Sequence, residues 1–249
     1  MINTLTLCLP YYRQPTMLRK QLEVMEHYPQ QMRIAIVDDG SPEPALPIIK
    51  ECSHGLRSRI DLYRVGVDLP WNRGGARNLA SREAQTTWIC HLDTDHVLPA
   101  DCAARLLACE PDPKSWYKFE RYRVGVADDT RKKDKADPKA TFVKIHSHID
   151  SYLVTKDLYW QAGGYNESFS GCLGGGSPFL AELTKVGGEA KTLPADIHLH
   201  VYTQSVIADA SVRTLSRDRT EYAKRKAAMR GNYRGKNPIR FQWLKQNLF

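Results

Sequence analysis

The sequence predicts an α/β fold, with a mostly parallel sheet flanked by helices. Three observations predict it: apolar strand-like runs alternate with helix-period segments through about residue 203, two of those runs end directly in acids, and one helix opens on glycines. At 249 residues and 42% apolar content, the chain can bury one large core.

The elements follow in order. TLTLCLPYY is an apolar run ending at Pro10, and TMLRKQLEVMEHY places Met17, Leu18, Leu22 and Met25 at helical spacing. RIAIVDDGS runs from strand character into two aspartates and a Gly-Ser turn, which puts Asp38 and Asp39 at the carboxyl end of a buried strand. A Pro-punctuated helix (PALPIIKECS) and a strand (IDLYRV) come next, then the helix NRGGARNLASREAQ and the strand TTWICHLDTDHVLP. The helix ADCAARLLACE leads to the strand SWYKFERYRVGV and to a charged stretch at 128–139 with the composition of a loop. HIDSYLVTKDLYWQAGGYNESF reads as strand, short helix and turn, PFLAELTKVGG as a helix closing on glycines, and KTLPADIHLHVYT as a strand. The expected organisation is one domain over 1–204 and a basic helical extension over 205–249.

Charge is concentrated. Residues 205–249 hold eleven Lys/Arg against three acids, which accounts for the whole formal charge of +8 and leaves the other residues neutral. A second cluster, RKKDKADPK, lies at 131–139. Such a segment is either a solvated basic helix and tail or a patch for a polyanion, nucleic acid or an anionic membrane surface. Tyr222, Tyr233, Phe241 and Trp243 interleave with the basic residues, which favours contact. The six cysteines form no CxxC pair, arguing against a disulfide or zinc framework and for reduced thiols in a cytoplasmic protein. No apolar run is long enough to span a membrane, and the N-terminus reads as a first strand without a leader's pattern.

The chemistry-bearing signal is LDTD, Leu92 to Asp95, at the end of WICHL. Two carboxylates two residues apart at a strand terminus can reach one divalent cation, one of them directly and one through water or a ribose hydroxyl. In ADIHLHV, strand alternation directs Asp196, His198 and His200 to one face. His146 and His148 show the same alternation and read as acceptor-side or structural.

The succession LPYYRQ, IVDDGS, GGARN, LDTDHVLP and GGYNESFSG, over about residues 4–185, resembles the family 2 glycosyltransferases. That resemblance implies a GT-A type fold and transfer of a sugar from a nucleotide-sugar, with a UDP-sugar as the expected donor, to a hydroxyl. It implies that a turn at Pro10 and Tyr11 and the acids Asp38 and Asp39 hold the nucleoside, and that Arg77, with Arg73 as a second candidate, lies near the diphosphate. Asp93 and Asp95 would organise Mn²⁺ or Mg²⁺ on the phosphates, with His198 or His200 as a further ligand.

One departure stands out. Where inverting members carry an adjacent acid pair after GGYDESF, this chain has Gly175 and Gly176, in FSGCLGGGSPF, so no local side chain can take the acceptor's proton. Three readings remain open: a base from elsewhere, Asp150 or Glu182; retention of configuration, with the departing phosphate taking the proton; or a site that binds without turnover, a non-catalytic nucleotide-sugar module. Gly174 to Gly176 are expected to allow close backbone approach and positive φ. For the acceptor, the basic segment fits DNA bearing hydroxymethyl pyrimidines, with a glycan or lipid-linked acceptor at an anionic membrane as the alternative.

Overall fold

The structure, a computed structural model, describes residues 1–127, 139–172, 175–210, 219–229, 234 and 238–249. Its first half contains β1 (Leu5–Tyr11), α1 (Pro15–Met25), β2 (Met32–Asp38), α2 (Ala45–Lys50), α3 (His54–Arg57), β3 (Ile60–Val65), α4 (Arg73–Glu83), β4 (Trp88–His91), β5 (His96–Val97) and α5 (Ala100–Ala108). There follow β6 (Tyr117–Lys118), β7 (Glu120–Val124), β8 (Phe142–Ile145), β9 (Tyr152–Thr155), α6 (Lys156–Gln161) and a 3₁₀ turn at Glu167–Phe169. The last elements are α7 (Gly176–Gly187), β10 (Lys191–Thr192), β11 (His198–Tyr202), α8 (Arg219–Ala228) and β12 (Trp243–Gln246).

The strands form an eight-stranded sheet, ordered β10-β6-β9-β4-β1-β2-β3-β12, and a four-stranded sheet, ordered β5-β11-β7-β8. The centre of the large sheet, β4-β1-β2-β3, is parallel, and β9 and β12 add antiparallel neighbours to it. Strand β1 is buried at all seven positions because helices cover both faces of the sheet, which explains its nearly unbroken apolar sequence. Helix α1 starts with a proline that needs no hydrogen-bonded N–H there, and it lays Met17, Leu18, Leu22 and Met25 on the core.

Three segments that read as single strands are each divided. TTWICHLDTDHVLP breaks into β4 and β5 around the acid-bearing turn, SWYKFERYRVGV into β6 and β7, and KTLPADIHLHVYT into β10 and β11. In each case the two halves join different sheets, so the break carries the chain from the large sheet to the small one. Among the described residues no helix is long and apolar enough to cross a membrane. All six cysteines are free thiols.

The basic extension contributes more than a helix. Residues 211–218, 230–233, 235–237 and most of the 131–139 cluster lie outside the described residues. Beyond α8, β12 pairs antiparallel with β3 and closes that edge of the large sheet. Just before it, the Ile239 and Arg240 amides donate to the Glu167 carboxylate, with Ile239 held at φ 63°. Trp243 packs edge-on against Tyr63, and the Arg82 guanidinium lies 5.0 Å from the Trp243 ring centroid. Trp243→Ala is therefore expected to cost about 1–3 kcal/mol of stability through lost burial and ring contact. Urea unfolding of the two proteins measures it.

Candidate active site

The parallel strands end together, and the site is built on those ends. At the end of β2 the two aspartates divide the work. Asp38 is fully buried and accepts hydrogen bonds from the Ser41 and Ala45 amides at 2.8 and 3.0 Å, and from Arg64; it shapes the turn into α2. Asp39 instead accepts from Asn72 Nδ2 at 3.0 Å, next to the cleft. Burial pushes its carboxyl up to about 8, with Asp68 and Asp38 adding to the shift against the Asn72 hydrogen bond.

Pro10 and Tyr11 lie in β1 rather than in a turn. The Tyr11 ring is in the core, and its hydroxyl donates to the Glu43 carbonyl at 2.8 Å. The Pro10 carbonyl accepts from the Thr94 hydroxyl at 2.7 Å, while Gln21 Nε2 donates to the Thr94 and His96 carbonyls at 2.9 and 2.7 Å. These bonds hold the LDTD turn against the neighbouring strand end.

Asp93 is the centre of the cluster. Arg77, wholly buried, donates to its Oδ1. Arg73 Nη1 lies 3.3 Å from Oδ2, and Arg73 Nη2 reaches the Asp150 carboxylate. Burial alone would raise the Asp93 carboxyl, but Arg73, Arg77 and the nearby imidazoles outweigh it and hold the group well below the usual carboxylate range. Arg77 is likewise penalised by burial, yet Asp93 and Asp150 keep it firmly charged. Its Nε and Nη1 have no hydrogen-bond partner among the described residues. Asp95 is largely covered, with its Oδ1 3.9 Å from His96 Nε2.

Two imidazoles join the acids, and neither belongs to the strand favoured by sequence alternation. His96 and His148 each offer a nitrogen that, with an Asp93 oxygen, forms a set within 4.8 Å of one another. His198 and His200 do share a face, as alternation requires, with ring centroids 5.4 Å apart. That face, however, packs on Tyr122 and Phe142. In the β11–β7 register Arg121 pairs with Leu199, on the opposite face, and it is Arg121 that reaches His96. The expected late-histidine ligand is thus not brought to Asp93, because the pleat directs both side chains away.

The two candidate bases also part. Glu182 in α7 is ion-paired with Lys185 and Arg234. Asp150 is buried, bonded to Arg73 and to the Tyr165 hydroxyl at 3.1 Å. A Cβ at Gly176 would stand 2.5 Å from Asp150 Oδ1, so the carboxylate occupies the space of the missing side chain. The glycines serve close approach rather than unusual backbone here: Gly175 is in the right-handed helical region, and Gly174 lies outside the described residues.

A cleft borders this cluster through Arg73, Arg77 and Gly176, and is also lined by Trp71, Phe169 and Gly175. The residues that sequence reasoning did not assign, Asn72, Thr94, His96 and Tyr165, act through hydrogen bonds that carry no sequence period.

Comparison with known proteins adds the following. The description Glycosyl transferase family 2 matches residues 6–171. Staphylococcus aureus TarS in complex with UDP-GlcNAc superposes with a TM-score of 0.64 at 14% identity, covering 84% of this chain and 62% of that one. A mannosyltransferase from Pyrobaculum calidifontis in complex with GDP-Man and Mn²⁺ gives 0.59 at 14% identity, covering 80% and 57%. This chain spans between 40% and 67% of the length of five solved chains that it resembles. No curated protein sequence matches it.

The raised Asp39 carboxyl predicts a pH effect. Between about pH 4, where a free aspartate ionises, and about 8, the folded state holds a proton that the unfolded chain has lost. Stability therefore falls as pH rises across that window. Asp39→Asn should flatten this slope, read as the change in urea midpoint between pH 5 and pH 8.

Proposed function

The chain belongs to glycosyl transferase family 2, and from that membership we infer that it transfers a sugar from a nucleotide-activated donor to a hydroxyl with the help of a divalent cation. The observation that carries this reading is the Asp93 cluster: a carboxylate held by two arginines that line a cleft at the strand ends, one of them with unpartnered donors.

The residues present fit such a donor. Asp39 lies one hydrogen bond from Asn72 at the cleft wall, in a position to meet the nucleoside. Arg73 and Arg77 face the cleft and supply positive charge for a diphosphate. Asp93 and Asp95 are the carboxylates that would hold Mn²⁺ or Mg²⁺. A cation bound there would stabilise negative charge on the departing diphosphate. A UDP-sugar is the donor proposed, in keeping with the nucleotide bound by TarS.

For the proton, Asp150 is the group proposed. The acceptor oxygen attacks the anomeric carbon, the bond from that carbon to the diphosphate oxygen breaks with its electron pair leaving on the diphosphate, and the acceptor's proton passes to the Asp150 carboxylate. Its support is position: it fills the space beside Gly176, while Glu182 is engaged by two cations. Arg73 bridges Asp93 and Asp150, so its attraction to an arriving diphosphate would release the base as the donor binds.

Helix α8 bears on the acceptor. Its Tyr222 ring lies 5.9 Å from Phe169 at the cleft, and Arg225 donates to the Ser168 and Ser170 carbonyls. Lys224 and Lys226 are exposed at this rim. A polyanion fits that surface, and DNA carrying hydroxymethyl pyrimidines is the form proposed, with the base leaving the stack to reach the cleft.

Two experiments test these readings. Metal-dependent release of nucleoside diphosphate from a UDP-sugar should be abolished in Asp95→Ala and reduced about 10²–10⁴-fold in Asp150→Asn, with Glu182→Gln near wild type. Unchanged release in Asp95→Ala would sink the donor reading, and full turnover in Asp150→Asn would move the proton to the departing phosphate. Gel-shift titration of hydroxymethylated DNA should show binding that weakens steeply with salt. Absent binding, with flotation on acidic vesicles instead, would replace DNA by a membrane-borne acceptor.

A further inference from the structure

Resting on the DNA-acceptor reading above, we propose that Trp71 is the platform on which the acceptor's pyrimidine ring stacks, and that the Arg73 guanidinium covers this platform until the donor's diphosphate draws it away.

Trp71 holds a backbone conformation that its side chain disfavours. Its φ is 49°, in the left-handed region where the Cβ of a bulky residue crowds the carbonyl oxygen. A glycine would close the same turn without that strain. Such outliers persist where the surroundings fix them, and they concentrate at ligand sites. Here the turn is pinned on both sides: the Pro70 carbonyl accepts from Ser170 Oγ at 2.9 Å, and Asn72 Nδ2 donates to Asp39 at 3.0 Å. What the conformation gains is a half-buried indole on the wall of the cleft.

Position assigns this ring to the acceptor rather than to the nucleoside. The cleft, about 340 Å³, is walled by residues drawn from 71–77 and from 165–176, which is room for a single ring and not for a duplex. Asp39, the group proposed for the nucleoside, is bonded to Asn72 but does not line it. Gly176 does line it, and Asp150, the group proposed for the acceptor's proton, lies against Gly176. Phe169, also in the wall, stands 5.9 Å from Tyr222 of α8. A base leaving its stack on the basic helix therefore passes Phe169 and arrives at Trp71, between aromatic side chains of the kind that read flipped bases.

Arg73 shows what shape of group the ring takes. Its guanidinium lies over the indole, with Cζ 5.4 Å from the ring centroid, while Nη2 donates to Asp150. A guanidinium is planar and stacks on aromatic faces, so it holds the slot that a flat heterocycle would fill. One side chain thus covers both the platform and the proposed base. A diphosphate that attracts Arg73 uncovers the two together, and the pyrimidine then binds where the guanidinium lay, with its hydroxymethyl group toward Asp150.

The test measures binding of the full chain to a single-stranded oligonucleotide carrying one hydroxymethylpyrimidine, across a salt titration, with and without saturating UDP and Mn²⁺. Trp71→Ala should weaken binding about tenfold or more and leave the salt slope unchanged, because stacking releases no counterions. Lys224→Ala should instead lower the slope by about one. Trp71→Tyr should recover most of the lost affinity, and both Trp71 variants should keep the wild-type dissociation constant for UDP. UDP should tighten oligonucleotide binding in wild type but not in Trp71→Ala. Wild-type affinity in Trp71→Ala, no recovery in Trp71→Tyr, or a wild type indifferent to UDP overturns the assignment while the DNA reading stands. Weakened UDP binding in Trp71→Ala also overturns it, by giving the ring to the donor's base. A wild type that binds no hydroxymethylated oligonucleotide removes the DNA reading and this inference together; a glycan acceptor whose KM then rises in Trp71→Ala would put a sugar ring on the indole in place of a pyrimidine.

Discussion

The Asp93 carboxylate against the buried Arg77 guanidinium is the contact around which the site is organised. Neither charge is tolerable alone at that depth, since removing one partner of a buried ion pair typically costs about 3–5 kcal/mol. The pair therefore requires the start of α4 and the end of β4 to come together. Two glycines at the start of α4 permit it: a Cβ at Gly74 would lie 3.1 Å from Tyr165 Cβ, and one at Gly75 would lie 2.3 Å from Asn72 Oδ1. Through Asn72 the same junction reaches Asp39, and through Arg73 it reaches Asp150. Asp39, Asp93 and Asp150, the groups proposed to meet nucleoside, cation and proton, are thus parts of one hydrogen-bonded unit.

Much of the fold was legible in the sequence because its signals are local. Buried parallel strands read as unbroken apolar runs, and acids at their ends mark the site edge; β1, β2 and β4 follow that pattern, as does the amphipathic period of α1. The transitions between sheets were not legible. Nothing in the spacing of TTWICHLDTDHVLP indicates that pairing changes partner after the acids, and β8, four residues long with alternate residues exposed, is too short a run to be read as a strand.

The site was legible in kind and less so in partnership. Acids, arginines and glycines announce a charged cleft, but Asp38 and Asp39, adjacent in sequence, differ in task because one is consumed by the Ser41 and Ala45 amides and the other is not. Alternation correctly grouped His198 with His200, yet it has no means of saying which face of the small sheet looks toward Asp93. That depends on Arg121, whose buried guanidinium occupies the inner face and gathers His96 and the His146 carbonyl instead. A long-range arginine leaves no periodic trace.

The closing strand β12 has a dynamic consequence. It is joined to β3 across most of the length of the chain and lies at a sheet edge, where the free energy of local opening is lowest. Phe241, just ahead of it, sits where a Cβ on Gly75 would meet its ring at 2.6 Å, and the Ile239 and Arg240 amides are bound to Glu167, which lines the cleft. Peeling of that edge would pull the Ile239 and Arg240 amides off Glu167 and so loosen the cleft rim, tying amide exchange in the last strand to the exit rate of whatever the cleft holds.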